Sequence, residues 1–232
     1  MKTLGIIPAR GGSKGIPGKN LVRIGGKPLI RWTIDAAIDS GVLDRIIVST
    51  DDHEIAQVAR ECGAEVPFMR PDALSGDTAT SASMISHAVE ALDFDGTVVL
   101  LQPTSPLRTA NDITNCLTLH RQHKRQIVSV TETKIHASWM FGLEDGDKLV
   151  VSSPVATQRQ NGRKRYIPNG AVYVFEASTG LDFNNAVGYV MPADRSIDID
   201  TPFDLLVAEM LIARRPGILT PDQLQAVADS FA

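Results

Sequence analysis

The feature that most restricts the fold of this chain is an alternation of short apolar runs with amphipathic helical patterns across its first half. The apolar runs have strand length and lie at 3–8, 45–50, 65–68, 97–101 and 127–132. Helical patterns lie between them, at about 28–38, 52–62, 79–92 and 110–122. Strands that alternate with helices at this spacing are typical of a mostly parallel sheet covered by helices on both faces. The sequence therefore predicts an α/β fold with a Rossmann-like core.

The alternation stops after residue 133. Residues 134–168 are polar and rich in turn formers, and they fit no helical period. Late strands are predicted at 170–175 and 188–191, followed by a helix over 201–214 and a last amphipathic helix from Pro221. An irregular segment of this size is longer than the roughly 12–15 residues at which loops in compact domains become uncommon. We therefore expect one domain over 1–232 that carries an insertion at 134–168.

Composition and charge exclude several classes of protein. No apolar stretch approaches the roughly 18–20 residues that a membrane span requires. The two cysteines, Cys62 and Cys116, are too few for a disulfide scaffold and have no zinc-ligand spacing. A net charge of −4 argues against nucleic-acid binding through bulk charge. We expect a cytoplasmic globular protein that binds neither a membrane nor nucleic acid.

Basic residues are concentrated at the start of the chain, where residues 1–34 contain seven of them and no acid. Three of these, Arg10, Lys14 and Lys19, lie in a glycine-rich loop over 8–20 that follows the first predicted strand. Ligands of open α/β sheets bind at the carboxyl ends of strands, and glycines let backbone amides approach a phosphate closely. The loop matches neither a Walker A motif nor the dinucleotide-binding fingerprint. It indicates a small polyphosphate ligand, with a solvated basic loop as the alternative.

A second candidate site is the pair Asp198 and Asp200, which alternate with isoleucines. In an extended chain this spacing places both carboxylates on one face. Facing carboxylates repel each other unless a cation lies between them, and Mg²⁺ with triphosphate oxygens is the usual solution. Alternatively, Asp200 caps the helix that begins near Pro202, and the two roles are compatible.

The loop Pro-Ala-Arg-Gly-Gly-Ser-Lys-Gly-Ile-Pro-Gly-Lys-Asn resembles, nearly letter for letter, the signature of the N-acylneuraminate cytidylyltransferases, the CMP-sialic acid synthetases. Four later segments resemble further blocks of that family in the same order. They lie at 68–81, at 101–108 (Leu-Gln-Pro-Thr-Ser-Pro-Leu-Arg), at 159–173 and at 197–204 (with Ile-Asp-Ile-Asp-Thr-Pro). The five blocks together cover about residues 3–210, so the resemblance extends over most of the chain.

The resemblance implies a nucleotidyltransferase-type fold and a specific reaction. The anomeric hydroxyl of a nine-carbon keto sugar acid, a nonulosonic acid, attacks the α-phosphate of CTP, and pyrophosphate leaves. Magnesium is the implied cofactor. The resemblance also implies a homodimer with shared active sites, in which the insertion at 134–168 is a dimerisation subdomain.

The resemblance assigns roles to individual residues. The nucleotide contacts are Ala9, Arg10, Gly11, Ser13, Lys19, Asn20, Arg70 and Ser81, and the sugar contacts are Gln102, Arg159, Asn169 and Tyr173. Arg10, Lys19 and Gln102 are the expected catalytic residues, the first two because they would stabilise charge on the leaving pyrophosphate. Asp198 and Asp200 are the expected metal ligands. For Asn169 and Tyr173, packing in the core is the alternative.

Two other functions remain open at this point. The same fold would serve a nucleotidyltransferase that uses GTP with a related sugar. A non-catalytic nucleotide-binding homologue is the second alternative, although the intact pair of aspartates and Lys19 argue against it.

Overall fold

A computed structural model describes residues 2–76, 80–133, 135, 140–144, 148–151 and 164–214. The strands are β1 (Thr3–Pro8), β2 (Arg23–Ile24), β3 (Lys27–Pro28), β4 (Arg45–Ser49), β5 (Thr97–Leu100), β6 (Ile127–Thr133), β7 (Phe141–Glu144), β8 (Lys148–Val151), β9 (Arg165–Glu176) and β10 (Val187–Val190). The α-helices are α1 (Leu29–Ser40), α2 (His53–Glu61), α3 (Ser81–Ala91), α4 (Ala110–His123) and α5 (Pro202–Ala213).

The main sheet, within the described part of the chain, has six strands in the order β10-β6-β9-β5-β1-β4. β1 pairs in parallel with β4 and β5, and β10 pairs in parallel with β6. β9 is antiparallel to both of its neighbours, β5 and β6. The prediction of a mostly parallel sheet is therefore confirmed. The register pairs Leu100 with Tyr173, so the residues that precede Tyr173 lie beside the carboxyl end of β5.

Helices cover both faces of the sheet, as the alternation predicts. Because successive strand residues point to opposite faces, Ile6 packs in one cluster and Ile7 in the other. The Ile7 cluster receives apolar residues of α1, α2 and α4, whereas the Ile6 cluster receives those of α3. A third cluster packs α5 against Ile24, Leu107 and Ile199, and this packing fixes the position of the Asp198–Asp200 segment.

Side-chain caps set the starts of several helices. The Asp52 carboxylate accepts the backbone amides of Glu54 and Ile55 at 2.8 and 3.0 Å and begins α2. The helix α5 begins with a capping box between Thr201 and Asp204. Thr201 is therefore the cap of α5, and the carboxylate of Asp200 is left for another role.

Two predictions differ from the structure, the strand at 65–68 and the end of the insertion. Residues 65–68 form no strand, and Glu65 and Met69 make only isolated bridges beside β4. Pro67 lies in this segment and has no amide hydrogen to donate to a ladder. The predicted insertion contains the β7–β8 hairpin, but its last residues, from Arg165, belong to β9 and pair with β6. The helix predicted from Pro221 lies outside the described residues.

Two further observations concern the exclusions made from composition. Among the described residues, no helix combines the length and the apolar character needed to cross a bilayer. Both cysteines are free thiols. Cys116 is buried in the core and Cys62 is half-buried, and burial raises the pKa of both thiols.

Candidate functional site

A cavity lies at the edge of the sheet where the parallel strands β1, β4 and β5 end. β1 continues into the loop 9–20, β4 into Thr50, and β5 into Leu101 and Gln102. The cavity has a volume of about 300 Å³. It is lined by Pro8, Arg10, Gly12, Ser13, Lys19, Asn20, Arg70, Leu74, Ser75, Gly76, Thr80, Ser81, Met84, Gln102, Pro103 and Thr104. Segments that are distant in sequence thus form one concave site.

Seven of the predicted site residues line this cavity: Arg10, Ser13, Lys19, Asn20, Arg70, Ser81 and Gln102. Three of them carry positive charge, and the described lining residues include no acid. Arg10 lies close enough to Arg70 for its charge to help lower the pKa of that guanidinium, after the larger effect of burial. Like charges held together in a concave site favour an anionic ligand, which relieves their repulsion.

Close packing determines the path of the loop 9–20. The buried side chain of Asn20 donates from Nδ2 to the carbonyl oxygen of Arg10 at 3.0 Å and so ties the two ends of the loop. A Cβ atom on Gly15 would lie 2.2 Å from the carbonyl oxygen of Asp200, so only glycine allows this approach. Gly18 has a φ of 60°, in the left-handed region that glycine adopts without strain.

Ala9 and Gly11 are the two predicted nucleotide contacts of the loop that do not line the cavity. Ala9 is completely buried, and its amide donates to the carbonyl oxygen of Ser49 at 3.0 Å. The amide of Gly11 donates to Oδ1 of Asp51, also at 3.0 Å. In this structure both amides attach the loop to the end of β4.

Lys19 connects the cavity to the aspartate pair. Its ammonium group donates to the carbonyl oxygen of Ile199 at 2.7 Å and to Oδ1 of Asp200 at 3.0 Å. The Lys19 side chain is 13% exposed, whereas that of Asp200 is 71% exposed. The Asp200 carboxylate therefore lies at the mouth of the site beside a cation that lines it.

Asp198 lies on the other side of Ile199 and borders the cavity through Thr104, which hydrogen-bonds its carboxyl group. The amide of Ile199 also donates to the carbonyl oxygen of Thr104 at 2.8 Å. Desolvation by the surrounding protein raises the pKa of Asp198, and the nearby Asp200 carboxylate adds to this rise. A cation placed between the two carboxylates would remove this electrostatic cost.

Arg70 and Ser81 line the cavity from two segments outside the loop 9–20. Arg70 is buried, its Nε donates to Ser49 Oγ at 3.0 Å, and its Nη2 donates to the Ser49 carbonyl oxygen. Burial lowers the pKa of Arg70, and the Asp51 carboxylate opposes this effect. Ser81 is the first residue of α3, directly after the cap Thr80. The end of β4 therefore holds Arg70 in a fixed orientation at the cavity wall.

Gln102 follows β5 and lies against Gly170 in the middle of β9. Gly170 has a φ of 71°, and a Cβ atom there would lie 3.3 Å from Gln102 Oε1 and 3.1 Å from Ser105 Oγ. Glycine at this position leaves room for both side chains and supplies a conformation that other residues rarely adopt. The positive φ of Gly170 makes a bend in β9, the antiparallel neighbour of β5. This bend positions Gln102.

The structure places Asn169 and Tyr173 in the interior, which is the alternative that the sequence left open. The Asn169 amide oxygen accepts from Ser129 Oγ at 2.6 Å, and its Nδ2 donates to Ser196 Oγ at 2.9 Å. The Tyr173 hydroxyl accepts the amide of Gly170 at 3.1 Å, and burial raises its pKa. Neither side chain lines the cavity. Both support the bend beside Gln102, and Arg159 lies outside the described residues.

Two residues without a predicted role belong to the site. Asp51 accepts the loop amide of Gly11, and Thr104 connects the cavity to Asp198. Thr104 lies in the segment 101–108, which resembles a block of the cytidylyltransferase family, so that resemblance could have indicated a role for it. Asp51 follows the second predicted strand, and the position of a carboxylate at a strand's carboxyl end was the available signal.

The donor set of the site limits what metal it would hold. Among the described residues, no group of three or more histidine, cysteine, aspartate or glutamate side chains is arranged to hold a metal ion. Asp198 and Asp200 provide two carboxylates, which are hard oxygen donors. Mg²⁺ is commonly bound through one or two carboxylates together with substrate phosphates and water. The residues therefore fit a magnesium ion that arrives with a triphosphate.

The chain matches the cytidylyltransferase family model over residues 4–178. The chain is 37% identical to the CMP-N,N'-diacetyllegionaminic acid synthase of Legionella pneumophila, over 91% of this chain and 97% of that protein. It is 34% identical to the pseudaminic acid cytidylyltransferase of Campylobacter jejuni, over 91% of this chain and 96% of that protein.

A third relative is the N-acylneuraminate cytidylyltransferase of Streptococcus agalactiae, which is 36% identical over 89% of this chain. The chain spans 52% of that protein, about half its length. The three relatives therefore carry the names of three different sugar acids at similar identity.

Solved structures confirm the fold. A CMP:2-keto-3-deoxy-manno-octonic acid synthetase complexed with CTP superposes with a TM-score of 0.69 at 18% identity, covering 92% of this chain and 99% of that one. The 4-diphosphocytidyl-2C-methyl-D-erythritol synthase of Anaerococcus prevotii superposes with a TM-score of 0.64 at 13% identity, with the same coverage. The sheet and its helices therefore have the nucleotidyltransferase-type arrangement.

Proposed function

This chain belongs to the cytidylyltransferase family and is therefore a nucleotidyltransferase, and from that premise we propose that it transfers CMP from CTP to a sialic-acid-like sugar. The acceptor is the anomeric hydroxyl of a nine-carbon keto sugar acid, and pyrophosphate is released. The observation that carries the proposal is the cavity in which Arg10, Lys19 and Arg70 meet, next to the Asp198–Asp200 pair, with no acid among its described lining residues.

The triphosphate end of the cavity is the loop 9–20. Arg10 and Lys19 would contact the phosphates and stabilise the negative charge that builds on the leaving pyrophosphate. Ser13 lines the same wall and would donate to a phosphate oxygen. These side chains extend from a loop whose path is held by Asn20 and Gly15, so the charges are in place before the reaction begins.

The part of the cavity that Arg70 and Ser81 line would bind the base and ribose. Arg70 is held by Ser49, and Ser81 starts α3 beside it. A guanidinium that is locked by backbone contacts presents its donors in a fixed direction, which suits recognition of the oxygen and nitrogen acceptors of cytosine. This wall is also where a GTP-using enzyme would differ, so it is the region that a nucleotide comparison tests.

Asp198 and Asp200 are the residues that would hold magnesium. When bound, the ion would neutralise phosphate charge and lower the pKa of the attacking hydroxyl. Lys19 pairs with Asp200 at 3.0 Å. Since Lys19 is also a proposed phosphate contact, it would link the carboxylates to the triphosphate.

The acceptor sugar would bind beside Gln102, at the end of the cavity next to β9. The Gln102 side chain would orient the sugar so that its anomeric hydroxyl faces the α-phosphate. Asn169 and Tyr173 would act beneath it, by holding the bend at Gly170. Arg159 would supply a guanidinium for the sugar carboxylate, which it can bind through two parallel hydrogen bonds.

The proposal includes a homodimer with shared active sites. Its support is a set of exposed apolar side chains on the β7–β8 hairpin and on β9: Phe141, Leu143, Leu149, Tyr166 and Ile167. Exposed apolar patches of this kind mark interaction surfaces. The partners of the protein would then be CTP, a nonulosonic acid and a second copy of the chain, with no nucleic acid or membrane. A cytoplasmic location is part of the same proposal, since free thiols suit a reducing compartment.

The test of the reaction is a substrate panel. Purified protein is given CTP and Mg²⁺ with N-acetylneuraminate, legionaminate, pseudaminate or KDN, and pyrophosphate release is measured. We expect release with at least one sugar, and a thermal shift with CTP that exceeds the shift with GTP. Absence of release with all four sugars would exclude the proposed reaction, and a larger shift with GTP would favour the GTP-using alternative. Binding of CTP without turnover would favour a non-catalytic homologue.

Mixing two inactive variants tests the shared site. If Arg159 acts across the dimer, a heterodimer of Arg159→Ala and Lys19→Ala subunits has one site that lacks both changes. Activity should then return in part after subunit exchange. A monomer by light scattering, or no recovery despite demonstrated exchange, would contradict the shared site.

A further inference from the structure

Arg108 is a buried charged residue in the connection between β5 and α4, directly beneath the cavity. It is only 2% exposed. Its Nε donates to the carbonyl oxygen of Ala171 at 2.7 Å, and its Nη1 donates to Thr33 Oγ1 at 2.5 Å. Its Nη2 donates to the main-chain carbonyl oxygen of Gln102. One guanidinium therefore connects α1, the segment after β5 and the middle of β9.

The hydrogen bond to Gln102 connects the buried Arg108 to the cavity. Gln102 lines the cavity, and its side chain lies against Gly170, the residue before Ala171. Arg108 thus holds both sides of the junction at which the Gln102 side chain lies. Ser105 strengthens the junction, because its hydroxyl donates to the carbonyl oxygen of Asn169 at 2.9 Å.

The charge of Arg108 is costly and is balanced by two acids. Burial lowers its pKa to about 9, and the carboxylates of Asp112 and Asp198 oppose this effect. The guanidinium is therefore still protonated at neutral pH. An apolar residue in its place would remove a buried donor from the Ala171 carbonyl oxygen and from Thr33 Oγ1, and would leave the Gln102 carbonyl oxygen with only the amide of Ser105, at 3.3 Å. Such a loss is also unfavourable. The three fixed donor directions of arginine suit this position, and a lysine ammonium has no equivalent geometry.

We propose that Arg108 is the positioning residue for Gln102, which it orients toward the acceptor sugar by holding its carbonyl oxygen and the β9 bend together. The proposal rests on the proposed function, because Gln102 is the sugar contact only in that reaction. Arg108 itself does not touch the substrate. It acts through Gln102, and its removal should affect the acceptor more than the nucleotide.

A double-mutant cycle tests this coupling. Arg108→Lys keeps the charge and loses the fixed hydrogen bonds, and we expect it to lower kcat/KM for the sugar about 10- to 100-fold, the scale of a misplaced positioning group. The KM for CTP should change much less. In a Gln102→Ala background the same change should have little further effect, because the side chain it orients is gone. Effects that multiply would contradict the proposal.

The matched control is Arg195→Lys. Arg195 donates to Asp112, one of the two carboxylates that balance the charge of Arg108, at 2.8 Å, but it does not line the cavity. We expect Arg195→Lys to leave the sugar and CTP parameters unchanged. If Arg108→Lys does not fold, Thr33→Val serves instead, since it removes only one acceptor of Arg108. An equal loss in the Arg195 variant would show a general structural effect and overturn the proposal.

A second readout does not depend on turnover. The side-chain amide signal of Gln102 in a nitrogen–proton NMR spectrum is assigned by its disappearance in Gln102→Ala. It should shift or broaden in Arg108→Lys and remain in place in Arg195→Lys. An unchanged signal in Arg108→Lys would overturn the positioning role. If the signal moves but no sugar is turned over by the wild-type protein, the proposed reaction fails while the positioning role stands.

Discussion

The two ends of the cavity are constructed differently. At the loop end, Arg10 and Lys19 line the cavity directly, and Lys19 pairs with the exposed carboxylate of Asp200. At the β9 end Gln102 is the predicted site residue that lines the cavity, and the residues that hold it are buried. Arg108, Asn169 and Tyr173 are each no more than 5% exposed.

This difference predicts how substitutions at each end behave. A side chain that lines the cavity and makes few interior contacts should be important for turnover but not for stability. A buried polar side chain whose hydrogen bonds are all made inside the protein should be important for stability first, because its loss leaves partners unpaired. The following experiments compare the two ends, beginning with the largest expected effect.

Lys19→Ala should lower turnover about 10²–10³-fold, judged by the loss of comparable transition-state donors. Its stability should change by less than about 1 kcal/mol, because the Asp200 side of the ion pair is 71% exposed and solvent weakens the attraction. Steady-state kinetics and thermal unfolding measure the two effects. Lys27→Ala is the control, since Lys27 pairs with Asp35 at 2.7 Å and does not line the cavity. Near-normal turnover of Lys19→Ala at saturating CTP and Mg²⁺ would show that its assigned role is wrong.

Asp200→Ala should lower turnover about 10²-fold if this carboxylate helps to hold the metal, again on the scale of a lost transition-state contact. Asp204→Ala is a control four residues away that removes the capping box of α5. It should cost about 1 kcal/mol of stability and leave most of the turnover. Titration with Mn²⁺ gives the metal affinity of each variant directly. Equal Mn²⁺ affinity of wild type and Asp200→Ala in the presence of CTP would exclude Asp200 as a ligand.

Asn169→Ala should destabilise the protein by about 1–3 kcal/mol, because Ser129, Ser196 and the amide of Ala171 lose a buried partner. Urea unfolding measures this effect. Asn115→Ala is the control, since Asn115 makes an exposed hydrogen bond to Tyr189 at 3.2 Å. A variant with unchanged stability and a raised KM for the sugar would instead support the direct sugar contact expected from the sequence.

Asp198→Asn should have the smallest effect, and it depends on pH. Because the folded protein raises the pKa of Asp198, this residue lowers stability as pH rises through that pKa. Without metal, the variant should therefore be more stable than wild type at pH 7, by about 1 kcal/mol or less after allowance for solvent screening. The difference should vanish below the ordinary pKa of an aspartate. Thermal unfolding from pH 3 to pH 8 measures this, with the exposed Asp194→Asn as control, and a variant less stable than wild type at pH 7 would contradict the prediction.

Much of the fold was predictable because it is encoded by local periodicity. The apolar runs at 3–8, 45–50, 97–101 and 127–132 correspond to β1, β4, β5 and β6. Helix starts were also close, because caps such as Asp52 and Thr201 act within a few residues. The strand predicted at 65–68 does not form, because strand pairing depends on a neighbour that is distant in sequence. Pro67 also has no amide hydrogen to donate to a strand ladder.

The sequence by itself determined the chemistry of the loop end. Arg10, Ser13, Lys19 and Asn20 lie within eleven consecutive residues, and a short loop after a strand must place such residues together at the sheet edge. Only the tertiary structure decided the β9 end, where the partners of Arg108 lie 75 residues away at Thr33 and 63 residues away at Ala171. Whether Asn169 and Tyr173 face a ligand or the core depends on the bend at Gly170 in β9, the strand that lies between β5 and β6. The physical reason is that a buried polar group forms its hydrogen bonds with whichever groups the fold brings close to it. The spacing of residues in the sequence does not show which groups these are.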